Sequence, residues 1–203
     1  MKMLFRYLLS IIGSSIVGIG VGLCVVTGLG ADALGVLWEG LAGRLPITVG
    51  QASLLVTFIC LTAVFYINKK ELGLATLLNP IATSIFTDIM IRQVVIDSPY
   101  LMKMGIVISG IALIGIGSGI AAATNTGKEG YIALSFALSD TWKLDLAKVR
   151  MGLDTLCFVL GMLLGGKFML GPIFGVILIG PLLKLSSQYC SRMIAPLMET
   201  VKE

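Results

Sequence analysis

Histidine is absent from the 203 residues, which removes the commonest metal ligand and general base and argues against a zinc hydrolase or a histidine-based catalyst. Cysteine is scarce. Cys24, Cys60, Cys157 and Cys190 lie in or beside apolar runs with no Cys-x-x-Cys spacing, so they read as small buried residues rather than bridges or metal ligands. Charged residues make up only 13%, and no nucleophile, base and orienter cluster, phosphate loop or metal-ligand set is visible. An enzyme is therefore not expected, nor a cofactor. The net charge of +4 does not point to nucleic acid, because the distribution of the basic residues follows a membrane topology.

What the chain has is apolar length. With 57% hydrophobic residues and a mean hydropathy of +1.00, it reads as an integral membrane protein whose first partner is the lipid bilayer. The first run follows Met1-Lys2-Met3-Leu4-Phe5-Arg6 and starts like a signal peptide. It continues through about twenty apolar positions without a small-x-small cleavage site, so it is expected to remain as the first span.

The organising stretch is GIGVGLCVVTGLGADALGVLWEGLAGRL, Gly18 to Leu45, an apolar span that breaks off and restarts as a segment too short to cross a bilayer. A second copy, 97 positions on, runs GIGSGIAAATNTGKEGYIALSFALSDTW from Gly115 to Trp142. Gly18/Gly115, Gly20/Gly117, Gly22/Gly119, Thr27/Thr124 and Gly30/Gly127 coincide, and Asp32 falls opposite Glu129. The recurring Thr-x-x-Gly-x-acid at the same break is the signature of an internal duplication, and paired interruptions of this kind point to a transporter binding site.

Hydropathy predicts six spans, at about 6–27, 47–68, 72–92, 104–124, 148–165 and 168–188. Two short helices, about 31–43 and 128–140, are left between them. At about 1.5 Å per residue each covers about 20 Å, so they are expected to be re-entrant or interfacial. With the N-terminus inside, Lys2, Arg6, Lys69, Lys70, Lys128, Lys143, Lys148, Arg150, Lys184, Arg192 and Lys202 fall on the cytoplasmic side, and Arg44, Arg92, Lys103 and Lys167 outside. Three spans per copy is an odd number, which makes the copies, 1–98 and 99–203, inverted repeats of one membrane domain. Both termini are then cytoplasmic. The expected fold class is an all-α membrane protein with six transmembrane helices in two inverted three-helix repeats, each carrying a short helix after its first span. Residues after about 190 read as a short cytoplasmic tail.

Non-helical backbone at membrane depth needs protein or a water-filled cavity to satisfy it, so Thr27 to Gly30 and Thr124 to Gly127 should face the interior. Each break feeds a helix N-terminus, which attracts an anion or a carboxylate. Asp32 and Glu129 fit two roles there, helix caps or ligands. The candidate substrate-binding set is Thr27, Gly30, Asp32, Thr124, Gly127 and Glu129. Arg150 and Asp154 lie four apart and share a helix face, as an ion pair or a coupling site; an unpaired charge there would cost about 2.5 to 3.5 kcal/mol. Asp88 and Arg92 have the same spacing and read as an interfacial pair, and Trp38, Trp142 and Tyr131 as an aromatic belt. The prolines Pro80, Pro172 and Pro181 read as kinks.

Gly28-Leu29-Gly30-Ala31-Asp32, with Gly40-Leu41 and Thr48-Val49-Gly50, resembles the first half of the bacterial YczE/YyaS/YitT family of integral membrane proteins. Val149-Arg150, Asp154, Leu164-Gly165-Gly166 and Ile179-Gly180-Pro181 resemble its second half. Ala31 and Ala33 stand where that family often has a proline and an aromatic residue, and Gly171-Pro172 where it has Gly-Thr. The chain matches a short form without the C-terminal domain of YitT-type members. The resemblance implies a multi-pass protein of the bacterial inner membrane with a role in transport or export.

The leading expectation is a small secondary active transporter moving a small organic or anionic solute through a site between the repeats, as a monomer or a homodimer. Two alternatives are kept. One is the substrate-binding subunit of an ATPase-driven vitamin importer; the other is a membrane scaffold or accessory protein that transports nothing.

Overall fold

The computed structural model describes residues 2–68, 73–127, 129–166 and 171–199, so that Lys69, Lys70, Lys128, Lys167 and Lys202, all used in the topology argument, lie outside the described residues. Within the described residues the chain is entirely helical. In order the helices are α1 Lys2–Thr27, α2 Ala33–Arg44, α3 Val49–Ile67, α4 Leu74–Gln93, α5 Tyr100–Ala123, α6 Gly130–Trp142, α7 Leu146–Leu163 and α8 Gly171–Glu199. The short helices α2 and α6, with 12 and 13 residues, fall where the glycine breaks place them.

Four helices, α1, α3, α4 and α5, are long and apolar enough to cross a membrane. Of the six expected spans, α7 and α8 are not in this group. Lys148, Arg150 and Asp154 all fall within the 18 residues of α7, and the chain just before α8, 167–170, lies outside the described residues.

The helices pack in two sets. α4, α1, α5 and α8 stand in a row, each against the next, while α2, α3, α6 and α7 close a ring in which α2 meets α3, α3 meets α6, α6 meets α7 and α7 meets α2. The α3–α4 contact joins row to ring. Glycine sets the closeness of the central pair. A β-carbon on Gly13 of α1 would lie 2.7 Å from the Gly117 carbonyl oxygen of α5, and one on Gly20 would lie 2.5 Å from that of Gly110. Small residues allow this approach where lipid tails supply no hydrophobic drive between helices.

Hydroxyls tie α1 to α4. Ser10 Oγ donates to Asn79 Oδ1 at 3.1 Å and accepts from Asn79 Nδ2 at 2.9 Å, while Thr83 and Thr87 donate to the Ser14 and Gly18 carbonyls, each at 3.1 Å. These buried polar groups are thereby satisfied without water, one turn after another. α4 runs helically through Pro80.

Several expectations are corrected here. Asp88 does not pair with Arg92. Its carboxylate instead accepts from the Gly50 N–H at 2.9 Å and from the Thr48 hydroxyl, joining the cap of α3, where the unpaired amides and the positive helix end favour an anion. Trp38 and Tyr131 are buried, at 7% and 6% exposure, and only Trp142 of the three aromatics faces out, at 61%. Packing of α2 and α6 against their ring neighbours covers the first two. After residue 190, α8 continues helically to Glu199. All four cysteines are free, with Cys24 and Cys60 buried.

Candidate functional site: the two helix breaks and the cavity at the second

At the first break α1 ends on Thr27, whose hydroxyl returns to the Cys24 carbonyl at 2.6 Å and accepts from the Leu29 N–H at 3.3 Å. The turn needs positive φ at Gly28 (71°) and Gly30 (75°), conformations that favour glycine. Asp32 then caps α2, accepting from the Gly35 N–H at 2.8 Å. The Leu29 carbonyl is met from the other half of the chain by the Gly171 N–H, the first residue of α8, at 3.0 Å.

The second break repeats this plan with different side chains. Thr124 returns to the Ala121 carbonyl at 2.7 Å and shares a 2.9 Å hydrogen bond with Thr126. Asn125 (φ 51°) and Gly127 (φ 147°) make the turn. Gly73, at the start of α4, packs against it so closely that a β-carbon there would sit 2.6 Å from the Thr126 carbonyl oxygen. Here the two breaks part company: Glu129 occupies the N-cap position of α6 but makes no side-chain cap bond.

A cavity of about 620 Å³ lies at the second break. Glu129, Ile132 and Phe136 line it from α6, Asn79 and Thr83 from α4, Ser118 from α5 and Arg150 from α7. Of the candidate substrate-binding residues, Gly127 and Glu129 line this cavity, together with Arg150. Thr27, Gly30, Asp32, Thr124 and Asp154 are not among its lining residues. Thr27 and Thr124 are buried, at 5% and 1% exposure, with their hydroxyls engaged by backbone.

The charges nevertheless form one group. Asp32 lies within electrostatic reach of Asp154 and Arg150, and Glu129 within reach of Asp32 and Arg150. Arg150 Nε stands 3.9 Å from Asp154 Oδ2, and its guanidinium lies 5.9 Å from the centre of the Tyr131 ring. Tyr131 donates its phenol hydrogen to Asp154 Oδ1. Arg150 is thus flanked by an acid and an aromatic face, both fixed by α6–α7 packing.

Tyr131 was missed as a site residue because an aromatic near a helix start reads equally well as an interface anchor. Asn79 and Thr83 carried a legible signal, polar residues four apart on an apolar helix. Among the described residues no group of three or more acidic or cysteine side chains is placed to hold a metal ion.

These features define a class, an all-helical protein with four helices able to cross a membrane and a largely apolar cavity bearing an acid and a guanidinium beside a broken helix. The chain belongs to the family described as Family of unknown function (DUF6198), whose model matches residues 4–188. It is similar to an uncharacterized protein of Haemophilus influenzae, 30% identical over 179 residues that cover 88% of this chain and 82% of that one. It is also similar to the uncharacterized protein YyaS of Bacillus subtilis, 26% identical over 181 residues that cover 88% of this chain and 90% of that one. The second relative agrees with the family resemblance read from the motifs. No solved structure matches the chain.

Proposed function

We propose that this chain is a small transporter of the bacterial inner membrane, with six spans in two inverted repeats, 1–98 and 99–203, and both termini cytoplasmic. The observation that carries the reading is the cavity at the second break, lined by Glu129 and Arg150. A volume of about 620 Å³ lies within the range of about 300 to 1,000 Å³ common for small-molecule sites.

The packing supports the inverted repeat. A shift of 97 converts the contact of Gly13 with Gly117 into that of Gly110 with Gly20, and both contacts are made. The same exchange of halves carries the α1–α4 contact into α5–α8, α2–α7 into α6–α3 and α2–α3 into α6–α7, and all of these are made. Such reciprocity is what a two-fold axis between the halves requires.

The two breaks differ in access. At the first, Leu29 and Ala31 are buried, at 3% and 0% exposure, and α8 is seated on the turn. The cavity lies at the second break, the end that the basic residues assign to the cytoplasm. We read this as the inward-facing arrangement of an alternating-access cycle, whose outward-facing counterpart would open the first break and Asp32.

The experiment is solute flux into proteoliposomes. The reading expects Glu129→Gln and Asp32→Asn each to reduce flux by far more than they reduce folded protein.

A further inference from the structure

We propose that the cavity takes a small organic cation, with its ammonium group seated on Glu129 and its apolar body lying on Ile132 and Phe136. This inference rests on the transporter reading and names the class of solute it would move.

The argument starts from which charges already have partners. Asp32 is engaged as the cap of α2 through the Gly35 N–H. Asp154 receives the Tyr131 hydroxyl and faces Arg150, so the guanidinium and that carboxylate offset each other. Glu129 lies within electrostatic reach of Asp32 and Arg150 but makes no side-chain hydrogen bond or salt bridge among the described residues. It holds an N-cap position without making the cap bond, and its side chain lines the cavity. In a group of three acids, Asp32, Glu129 and Asp154, and one guanidinium, the half-buried Glu129 carboxylate facing the cavity is matched by an ammonium group, which brings positive charge and hydrogen-bond donors.

The walls specify the rest of the solute. Glu129, Ile132 and Phe136 are spaced by three and four residues, so they lie along one face of α6, and all three line the cavity. An acid at one end of an aliphatic and aromatic strip suits an amine with an apolar body. Asn79 and Thr83 already have partners in Ser10 and the Ser14 carbonyl, so they add polarity without charge, and the lining carries two charges, Glu129 and Arg150, the second paired with Asp154.

The test uses the full chain in lipid nanodiscs and three probes of matched shape: phenethylamine, neutral 2-phenylethanol and anionic phenylacetate. Phenethylamine should bind and raise the thermal midpoint, while the alcohol and the acid should do so far less. Glu129→Gln should weaken amine binding by about tenfold or more, the loss expected for a hydrogen bond between charged groups. Glu129→Asp, which keeps the charge, should retain most of the binding and guard against a Gln variant that simply fails to fold. Phenylacetate binding as well as the amine would overturn the inference. So would no binding by any probe, or amine binding unchanged in folded Glu129→Gln. Flux separates this inference from the reading beneath it. Amine that binds through Glu129 but does not cross proteoliposomes supports the cation site and counts against a transporter; an anion carried across independently of Glu129 does the reverse.

Discussion

Gly13 of α1 faces Gly117 of α5 across a gap that leaves no room for a β-carbon, and Gly20 and Gly110 repeat the contact two turns along. The central pair of helices therefore meets along backbone at two points, and both points involve one glycine from each half of the chain. Gly13→Val or Gly117→Val should force α1 and α5 apart, costing about 1 to 3 kcal/mol as overpacking does. Gly105→Ala and Gly152→Ala, where nothing lies within 4 Å, should be neutral or mildly stabilising. Thermal midpoints of the four variants in detergent check this. Equal losses at all four positions would contradict it.

The caps of the two short helices predict an asymmetry in stability. Asp32→Ala should cost about 0.5 to 2 kcal/mol through loss of the bond from the Gly35 N–H, and Asp32→Asn should keep nearly all of it, because asparagine caps about as well. Glu129→Ala has no cap bond to lose and should not show the same penalty. A matched thermal-shift series on the three variants decides the point.

Tyr131 and Asp154 should be energetically coupled. Tyr131→Phe and Asp154→Ala each remove one side of the bond between α6 and α7, so the double variant should cost less than the two single costs added together. A coupling energy of about 0.5 to 3 kcal/mol is expected from a double-mutant cycle. Strict additivity would mean that Arg150 is positioned by other groups.

The proposed topology makes a prediction about sidedness. On a background with the native cysteines replaced, Val95→Cys should react with a membrane-impermeant maleimide only from outside, and Lys143→Cys only from the cytoplasm. Both positions are exposed in the structure, at the end of α4 and at the cap of α6. Reaction of both from one side would rule out the inverted arrangement.

Much of the helical plan was legible because its signals are local. The glycine breaks, the apolar lengths and the acid opening each short helix are all visible in the order of residues, and α2 and α6 begin within two residues of their expected starts. Burial was less legible, because it depends on neighbours distant in sequence. Trp38 reads as an interface anchor until α2 is seen packed between α3 and α7, where its indole N–H is buried with no hydrogen-bond partner among the described residues. The partner of Asp88 illustrates the same limit. Spacing along one helix pointed to Arg92, whereas packing of α4 on α3 gave it Thr48 and Gly50, 40 and 38 positions away. The inequivalence of Asp32 and Glu129 was hidden because their places in the two copies match. It arises from cap geometry and from the cavity that Glu129 lines and Asp32 does not.

The central claim is that the cavity and the broken helices form a transport path between two inverted halves, and flux tests it most directly. Proteoliposomes bearing the wild-type chain, Glu129→Gln, Asp32→Asn and the double variant would be offered a mixed panel of labelled amines, carboxylates and neutral alcohols. The account predicts that at least one member enters wild-type vesicles faster than protein-free ones, that each single variant slows it, and that the double variant abolishes the difference at equal folded protein. Wild-type vesicles no faster than protein-free ones for every member, or flux unchanged in the double variant, would contradict the account.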